Sequence, residues 1–466
     1  RTGNTNNSFF NAGGKGGIIE KIDWNGKVTW SYILSDSLNC QHHDVTALPN
    51  GNILVIAWAA KTNNEAIAMG RNPALVPAIL WSEQILEIEP VGNSGGNIVW
   101  EWHLWDHLVQ DFDTTKPDFG AINSHPTKVN LNYKASATNS DWIHLNSIDY
   151  HAGLDQILLS AHGTNEIWII DHSTSSAEAK GNSGGNSGLG GGILYRWGNP
   201  VAYNSGTVTQ FFGQHNAYWI EDGLPFQDQI MVFNNGNGRT GGNYSTIEII
   251  KPPVDGFKYS MDLPFLPNAT SWIYNSGNTQ KMYAQNISGA QQLSNGNVLF
   301  TNGPSGVFTE VNSKGESLWS YVNPVSNSGI LTQGITPAQN TVFRSTFYPS
   351  DYSGFAGRTL VSGSTIENEN LLSAYCANPI TGLTEASALD DLVVYPNPTR
   401  ENATIQLNDI GLDNYDIELL DINGSKVGDF KLQNHTLDLK SLSAGAYILK
   451  ISNEKAHIEK RIIIQK

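Results

Sequence analysis

Apolar and polar positions alternate along most of the chain in short runs that end at Asn-Gly or glycine-bearing turns, the pattern of antiparallel strands joined by tight hairpins. Two units recur. The first joins a strand beginning near His or Gln to a turn of the form Leu-x-Asn-Gly-Asn, at Leu48 to Asn52 and again at Leu293 to Asn297, each followed by an alternating apolar strand. The second is an aliphatic-acidic strand, a turn bearing glycine, and a strand ending in Trp-Ser-Tyr, as in residues 17–32 and 307–321. Looser copies occupy 85–102, 166–200 and 246–261, and Thr341 to Tyr348 with Arg358 to Ser362 supply material for one more. Self-similar units that each bury their faces against neighbours predict a ring of sheets. The fold class expected is all-β, a six-bladed β-propeller followed by a small C-terminal β-sandwich, with the N-terminal hairpin completing the last blade. A single β-sandwich or a β-helix is the alternative, though a β-helix needs shorter and more uniform rungs.

Long inserts at Lys61 to Ser82 and His103 to Asp141 are expected to form loops or short helices over one face of the ring. The glycine-rich tract Lys180 to Gly192 follows no strand-to-helix pattern, so it reads as a flexible surface loop and not as a phosphate cradle. After Cys376 the composition shifts. The predicted boundaries are a propeller over 1–377, a linker over 378–388 and a β-domain over 389–466, where about seven strands alternate apolar and polar positions.

Composition sharpens this picture in three ways. Across 466 residues, 46 glycines and 13 tryptophans suit many short strands packed on aromatic anchors. The 43 acidic against 27 basic side chains give a net charge of −16, which repels nucleic acid and anionic membranes, while a local cluster of His and Arg still admits an anionic small ligand. No apolar run is long enough to span a membrane, Ala66 to Trp81 being broken by Arg71 and prolines. A start at Arg1 fits a mature form whose targeting segment has been removed. The two cysteines, Cys40 and Cys376, flank the repeats and are candidates for a disulfide closing the ring, or for two separate buried thiols.

Ten of the twelve histidines lie between His42 and His215, several at the start of a module. First strands of propeller modules line the central channel, so His43, His144, His215 and Arg344 are expected to converge there, with Arg239 reaching in from a loop. The plain alternative for each histidine is a hydrogen bond to a neighbouring blade. His103 and His107, four residues apart, would share a helical face and invite zinc, but no carboxylate or thiol cluster of suitable spacing accompanies them, so no metal is expected. His151, His162 and His172 fall beside polar turns, His162 being the strongest exception to a surface role. No G-x-S-x-G elbow is present, and Asp141 with Asp149 fits hairpin positions as well as a glycosidase pair.

The C-terminal piece resembles the type A sorting domain of the type IX secretion system, through Tyr395-Pro396-Asn397-Pro398, Asp421-Ile422-Asn423-Gly424 and Leu442-Ser443-Ala444-Gly445-Ala446-Tyr447. The resemblance implies export across the outer membrane by that machinery, then release or surface attachment. Residues 17–360 resemble the bacterial arylsulfotransferases, through Gln41-His42-His43-Asp44, Trp102-His103-Leu104-Trp105-Asp106-His107, Asp141-Trp142-Ile143-His144-Leu145-Asn146, Gln214-His215-Asn216-Ala217, Asn234-Asn235-Gly236 with Arg239, and Val342-Phe343-Arg344. That resemblance implies a six-bladed propeller that moves a sulfuryl group between phenols with no cofactor. His144, His215 and Arg239 match the family's substrate-contacting residues, and His43, His103, His107, His162, Asn286 and Arg344 are further substrate-binding candidates.

The chemistry suits those residue types. A sulfuryl group in flight needs cations or donors around its oxygens, an acid for the departing phenolate, and a nucleophile if a covalent intermediate forms. The sequence departs from the family at one point. Its enzymes hold the sulfuryl group on a histidine of a later blade, and no histidine occurs between His215 and His435; Gln285, Asn286 and Ser288 stand in that region. An earlier histidine takes the role, or transfer is direct, or the pocket binds a sulfated or other anionic ligand without catalysis.

Overall fold

A computed structural model describes residues 1–275, 282–361, 363, 365–367, 393–395, 397–406, 416–421, 425–429, 436–452 and 457–466. The chain is all-β with few short helices. It divides into two compact units, residues 1–331 with 336–366, and 332–335 with 367–466. Cys376 and the predicted linker 378–388 lie outside the described residues.

In the first unit, four-stranded meanders follow one another, each antiparallel and ordered as in the chain. The first contains Asn39–Ala47, Ile53–Thr62, Ile79–Pro90 and Gly96–His103; the second Leu145–His151, Gln156–Ala161, Glu166–Asp171 and Tyr195–Trp197. The third contains His215–Trp219, Ile230–Asn234, Thr246–Ile250 and Trp272–Tyr274; the fourth Gly289–Gln292, Val298–Asn302, Val307–Val311 and Ser317–Val322. A three-stranded N-terminal sheet of Thr2–Asn4, Gly17–Ile22 and Val28–Ile33 precedes them.

The period of two explains how these sheets stack. Within Ile53–Thr62, Leu54 and Ile56 pack with Ile157, Leu159 and Trp168 of the next meander, whereas Ile53, Val55 and Ala57 pack with Ile19 and Trp30 of the N-terminal sheet. Leu158 turns the other way, onto Ile230 and Val232, and Met231 and Phe233 pack onwards against Val298 and Phe300. Second strands are therefore buried on both faces and read as nearly continuous apolar runs.

Two expectations change. Thr341 to Tyr348 makes no regular strand; it runs beside Gly289–Gln292, where Ser288 N–H donates to the Phe343 carbonyl at 2.9 Å and Phe347 N–H to Gln291 Oε1 at 2.7 Å. The tract Lys180 to Gly192 is packed, not loose. Trp102 Nε1 donates to the Gly191 carbonyl at 2.7 Å, Ser187 N–H to Asp171 Oδ2 at 2.8 Å, and a Cβ on Gly191 would meet the Ala179 carbonyl oxygen at 1.8 Å. The inserts do form short elements, a capped helix Asn63–Ala68 and 3-10 turns such as Leu104–Asp106.

In the second unit, Val393–Tyr395, Asn402–Gln406 and Thr436–Asp438 form one sheet, and Lys426–Asp429, Asp416–Asp421, Gly445–Ser452 and His457–Ile464 another. Ala403, Ile405 and Leu437 from the first share one core with Leu419, Leu449, Ile451 and Ile462 from the second.

Candidate functional site

The first strands of the first three meanders are distorted in the same way near their starts. Ladder register breaks between Gln41 and Val45, between Leu145 and Ser147, and between His215 and Tyr218. At or beside these bulges His43, His144 and Asn216 adopt φ of +51°, +54° and +51°, a left-handed conformation that costs a non-glycine residue about 1 kcal/mol or more. In the fourth meander Ile287 and Ser288 hold φ of +44° and +84° just ahead of Gly289–Gln292. In the three bulged sheets the bulge re-aims a side chain, and in two of them that side chain is an imidazole.

Those imidazoles meet. Ring centroids are 4.4 Å apart for His43 and His144, 5.2 Å for His144 and His162, and 5.4 Å for His162 and His215. Behind His43 stands His42, fully buried and stacked at 4.0 Å on Trp58. His42 Nε2 lies 2.9 Å from Glu83 Oε2, and its Nδ1 lies 2.9 Å from His43 Nδ1. His144 Nδ1 is bound to Asp141 Oδ2, while Trp58 Nε1 donates to the other Asp141 oxygen at 3.0 Å.

The partners of His215 fix its tautomer. Asn235 Nδ2 donates to the carbonyls of Ala284 and Ile287, so its Oδ1 faces His215 Nδ1 at 2.8 Å, and the Gly213 carbonyl lies 3.1 Å from the same nitrogen. Both are acceptors, so Nδ1 carries the hydrogen and Nε2 keeps its lone pair.

Burial, reinforced by neighbouring imidazoles, disfavours charge across the cluster: it brings His42 down to about 3 and His215 to about 4, and holds His43 and His162 well below the ordinary range. His144 is the exception. Burial pulls it down too, but the hydrogen bond and charge of Asp141 outweigh that and hold it above the ordinary imidazole value. Asp141 thus favours the charged form of His144, alone among the clustered rings.

Other expected site residues stand differently. The Arg344 fork is occupied by Asp44, at 2.8 and 2.6 Å, so a carboxylate already fills the place expected of a sulfonate. Arg239 lies over Phe212 and Tyr244, 5.1 and 4.4 Å from their centroids, and donates to Thr246 Oγ1 at 3.2 Å, three residues of chain from Phe212 to His215 linking it to the cluster. Asn286 is exposed on the 284–288 loop that Asn235 holds.

His103 and His107 do not share a helical face. They flank the single turn Leu104–Asp106, His103 pairing with Glu101 at 3.1 Å and His107 buried on Trp102 with Nε2 2.8 Å from the Ala179 carbonyl. Among the described residues no three His, Cys, Asp or Glu side chains are placed to hold a metal ion. Cys40 is buried with Phe10, Trp58 and Trp81. A cavity of about 290 Å³ is lined by Asp44, Ile148, Asp149, Asn216, Tyr218 and Arg344, among others, along the same strands; none of the four clustered imidazoles lines it.

Sequence alone assigns no part to His42, Glu83 or Asn235. The signal for two of them sits inside the quoted motifs, next to His43 and ahead of Gly236, whereas Glu83 reaches His42 only because Ile79–Pro90 pairs with Ile53–Thr62.

Comparison with known proteins places the chain in a family. Residues 4–342 match the sequence profile of the Arylsulfotransferase (ASST) family, and the chain belongs to that family. Residues 393–465 match the secretion system C-terminal sorting domain, which marks the protein for export through the type IX system across the outer membrane, to the cell surface or the medium. No curated protein matches the chain. Among solved structures, a protein of unknown function from Bacteroides caccae aligns at 12% identity over 68% of this chain and 79% of its own, with a TM-score of 0.35. No helix among the described residues is long and apolar enough to cross a membrane.

Proposed function

We propose that the chain is a secreted enzyme moving a sulfuryl group from an aryl sulfate to a phenolic acceptor without a nucleotide cofactor, at the axis of a six-bladed β-propeller. In this reading the stacked sheets are its modules within 1–377, the N-terminal hairpin completes the last blade, and a linker over 378–388 leads to a β-sandwich over 389–466. One observation carries the reading. Imidazoles from three sheets, separated by as many as 172 residues between His43 and His215, pack ring against ring, with a carboxylate, Asp141, hydrogen-bonded to one of them, His144.

The roles follow from protonation. The His144 imidazolium faces the sulfonate oxygens, and Arg239 approaches them from its loop. The Nε2 lone pair of His215 attacks sulfur; the sulfur–oxygen bond breaks with its electrons on the phenolate, which takes a proton from the cluster. The acceptor phenol then gives its proton back to the cluster and attacks the N-sulfuryl group, and the sulfur–nitrogen bond breaks with its electrons on His215 Nε2, which restores the neutral imidazole. Arg344, committed to Asp44, positions the strand behind His43. Gln285, Asn286 and Ser288, standing in the region where a later-blade histidine is expected, favour a second reading, a non-catalytic pocket for a sulfated or otherwise anionic ligand.

Turnover of a chromogenic aryl sulfate with a phenol acceptor separates the two. The parent protein is expected to turn over, and His144→Ala and His215→Ala each to lose about 100-fold or more in kcat/KM. A folded parent that binds the aryl sulfate but never releases phenol overturns the enzyme reading in favour of the binding one.

A further inference from the structure

We propose that Glu83, His42 and His43 form a proton relay between a buried carboxyl and the channel, which makes His43 the acid that protonates the departing phenolate. This rests on the sulfuryl-transfer reading above. The three groups make one unbroken line, 2.9 Å from Glu83 Oε2 to His42 Nε2 and 2.9 Å from His42 Nδ1 to His43 Nδ1. None is free to turn. His42 has no exposed surface and lies 7° from parallel with Trp58, and Glu83 Oε1 accepts the Leu145 N–H at 3.0 Å. The far end of the line, the His43 ring, packs 4.4 Å from the His144 ring in the cluster.

Two Nδ1 atoms facing each other share a single proton, so the tautomers of His42 and His43 are locked together. With that proton on His42, its Nε2 accepts from a protonated Glu83 carboxyl, and the proton of neutral His43 sits on Nε2. Loss of the Nε2 proton to the phenolate oxygen draws the shared proton onto His43 Nδ1. The carboxyl proton then moves to His42 Nε2. One proton has left, both rings are again neutral, and one negative charge rests on the Glu83 carboxylate, held by the Leu145 N–H. Deprotonation of the acceptor phenol runs the same shifts backwards.

The surroundings favour the loaded state. Burial, with Asp141 adding to it, holds the Glu83 carboxyl well above its ordinary range, and burial holds both relay histidines below theirs. The titratable groups facing the relay are Asp141 and His144, which neutralise one another, with His162 and His215 beyond them. His43 touches the reacting atoms in this scheme, whereas His42 and Glu83 act through it.

Side-chain nitrogen–proton correlation spectra of the full-length, nitrogen-15-labelled protein read the tautomers directly. The parent is expected to carry Nε2–H on His43 at neutral pH and to switch to Nδ1–H as Glu83 ionises on raising pH. Glu83→Gln is expected to keep the first tautomer at every pH, because the amide donates to His42 Nε2 but has no proton to surrender. His42→Phe, which keeps a ring on Trp58, is expected to abolish the switch. In turnover, Glu83→Gln should slow aryl sulfates with poorly acidic leaving phenols about 100-fold and nitrophenyl sulfate little. A His43 that carries Nδ1–H in the parent at neutral pH, or that switches alike in the parent and Glu83→Gln, overturns the relay. A normal switch in a protein without turnover leaves the relay standing and removes the sulfuryl-transfer reading instead.

Discussion

His144 differs from its neighbours through one carboxylate, and the pH dependence of the reaction should show it. His215 must be unprotonated to attack, so kcat/KM should rise with pH through about 4. His144 must be protonated to face the sulfonate, and its raised value places the falling limb above the ordinary imidazole range, near 6.5. Asp141→Asn removes the charge that holds His144 up, and the falling limb should move to lower pH while the acid limb stays. An unmoved falling limb assigns it to another group. His43, His144 and His215 were legible in the sequence because the repeat places them at equivalent strand starts. The distinction among them was not, since Asp141, Glu83 and Asn235 act through pairings that only the folded chain makes.

At the level of elements, alternation predicted which strands exist and the bulges decide what they present. Period-two patterning marks Ile53–Thr62 or Ile230–Asn234 as strands, yet cannot foresee that three ladders slip at the same point and turn His43 and His144 into left-handed backbone. Glycine content misled in the opposite direction. The tract Lys180 to Gly192 is glycine-rich because its backbone packs against Ala179 and accepts the Trp102 indole, which composition does not distinguish from flexibility. Gly191→Ala should therefore lower stability by about 2–3 kcal/mol, as overpacking a tight contact does, whereas Gly188→Ala, with open space around it but a φ of +78°, should cost about 1 kcal/mol. Chemical denaturation of the two variants against the parent measures the difference, and equal losses would contradict the packed description.

For the whole molecule, series stacking was legible from the spacing of the repeats, and the sorting signal from motifs near the C-terminus. What the repeats did not reveal is that Thr341 to Tyr348 runs beside the fourth meander without a ladder of its own, since its alternation matches that of true strands. The C-terminal match gives the clearest prediction at this scale. Deleting residues 389–466 should leave the protein behind the outer membrane, while the full chain reaches the surface or the medium, as fractionation would show; equal export of both forms would contradict the assignment. The central claim concerns chemistry at the histidine cluster and is reached most directly by mass spectrometry of the protein quenched during turnover of an aryl sulfate. One sulfonate on the peptide containing His215, absent from His215→Ala, is the predicted result; steady turnover with no sulfonate on any imidazole would contradict it.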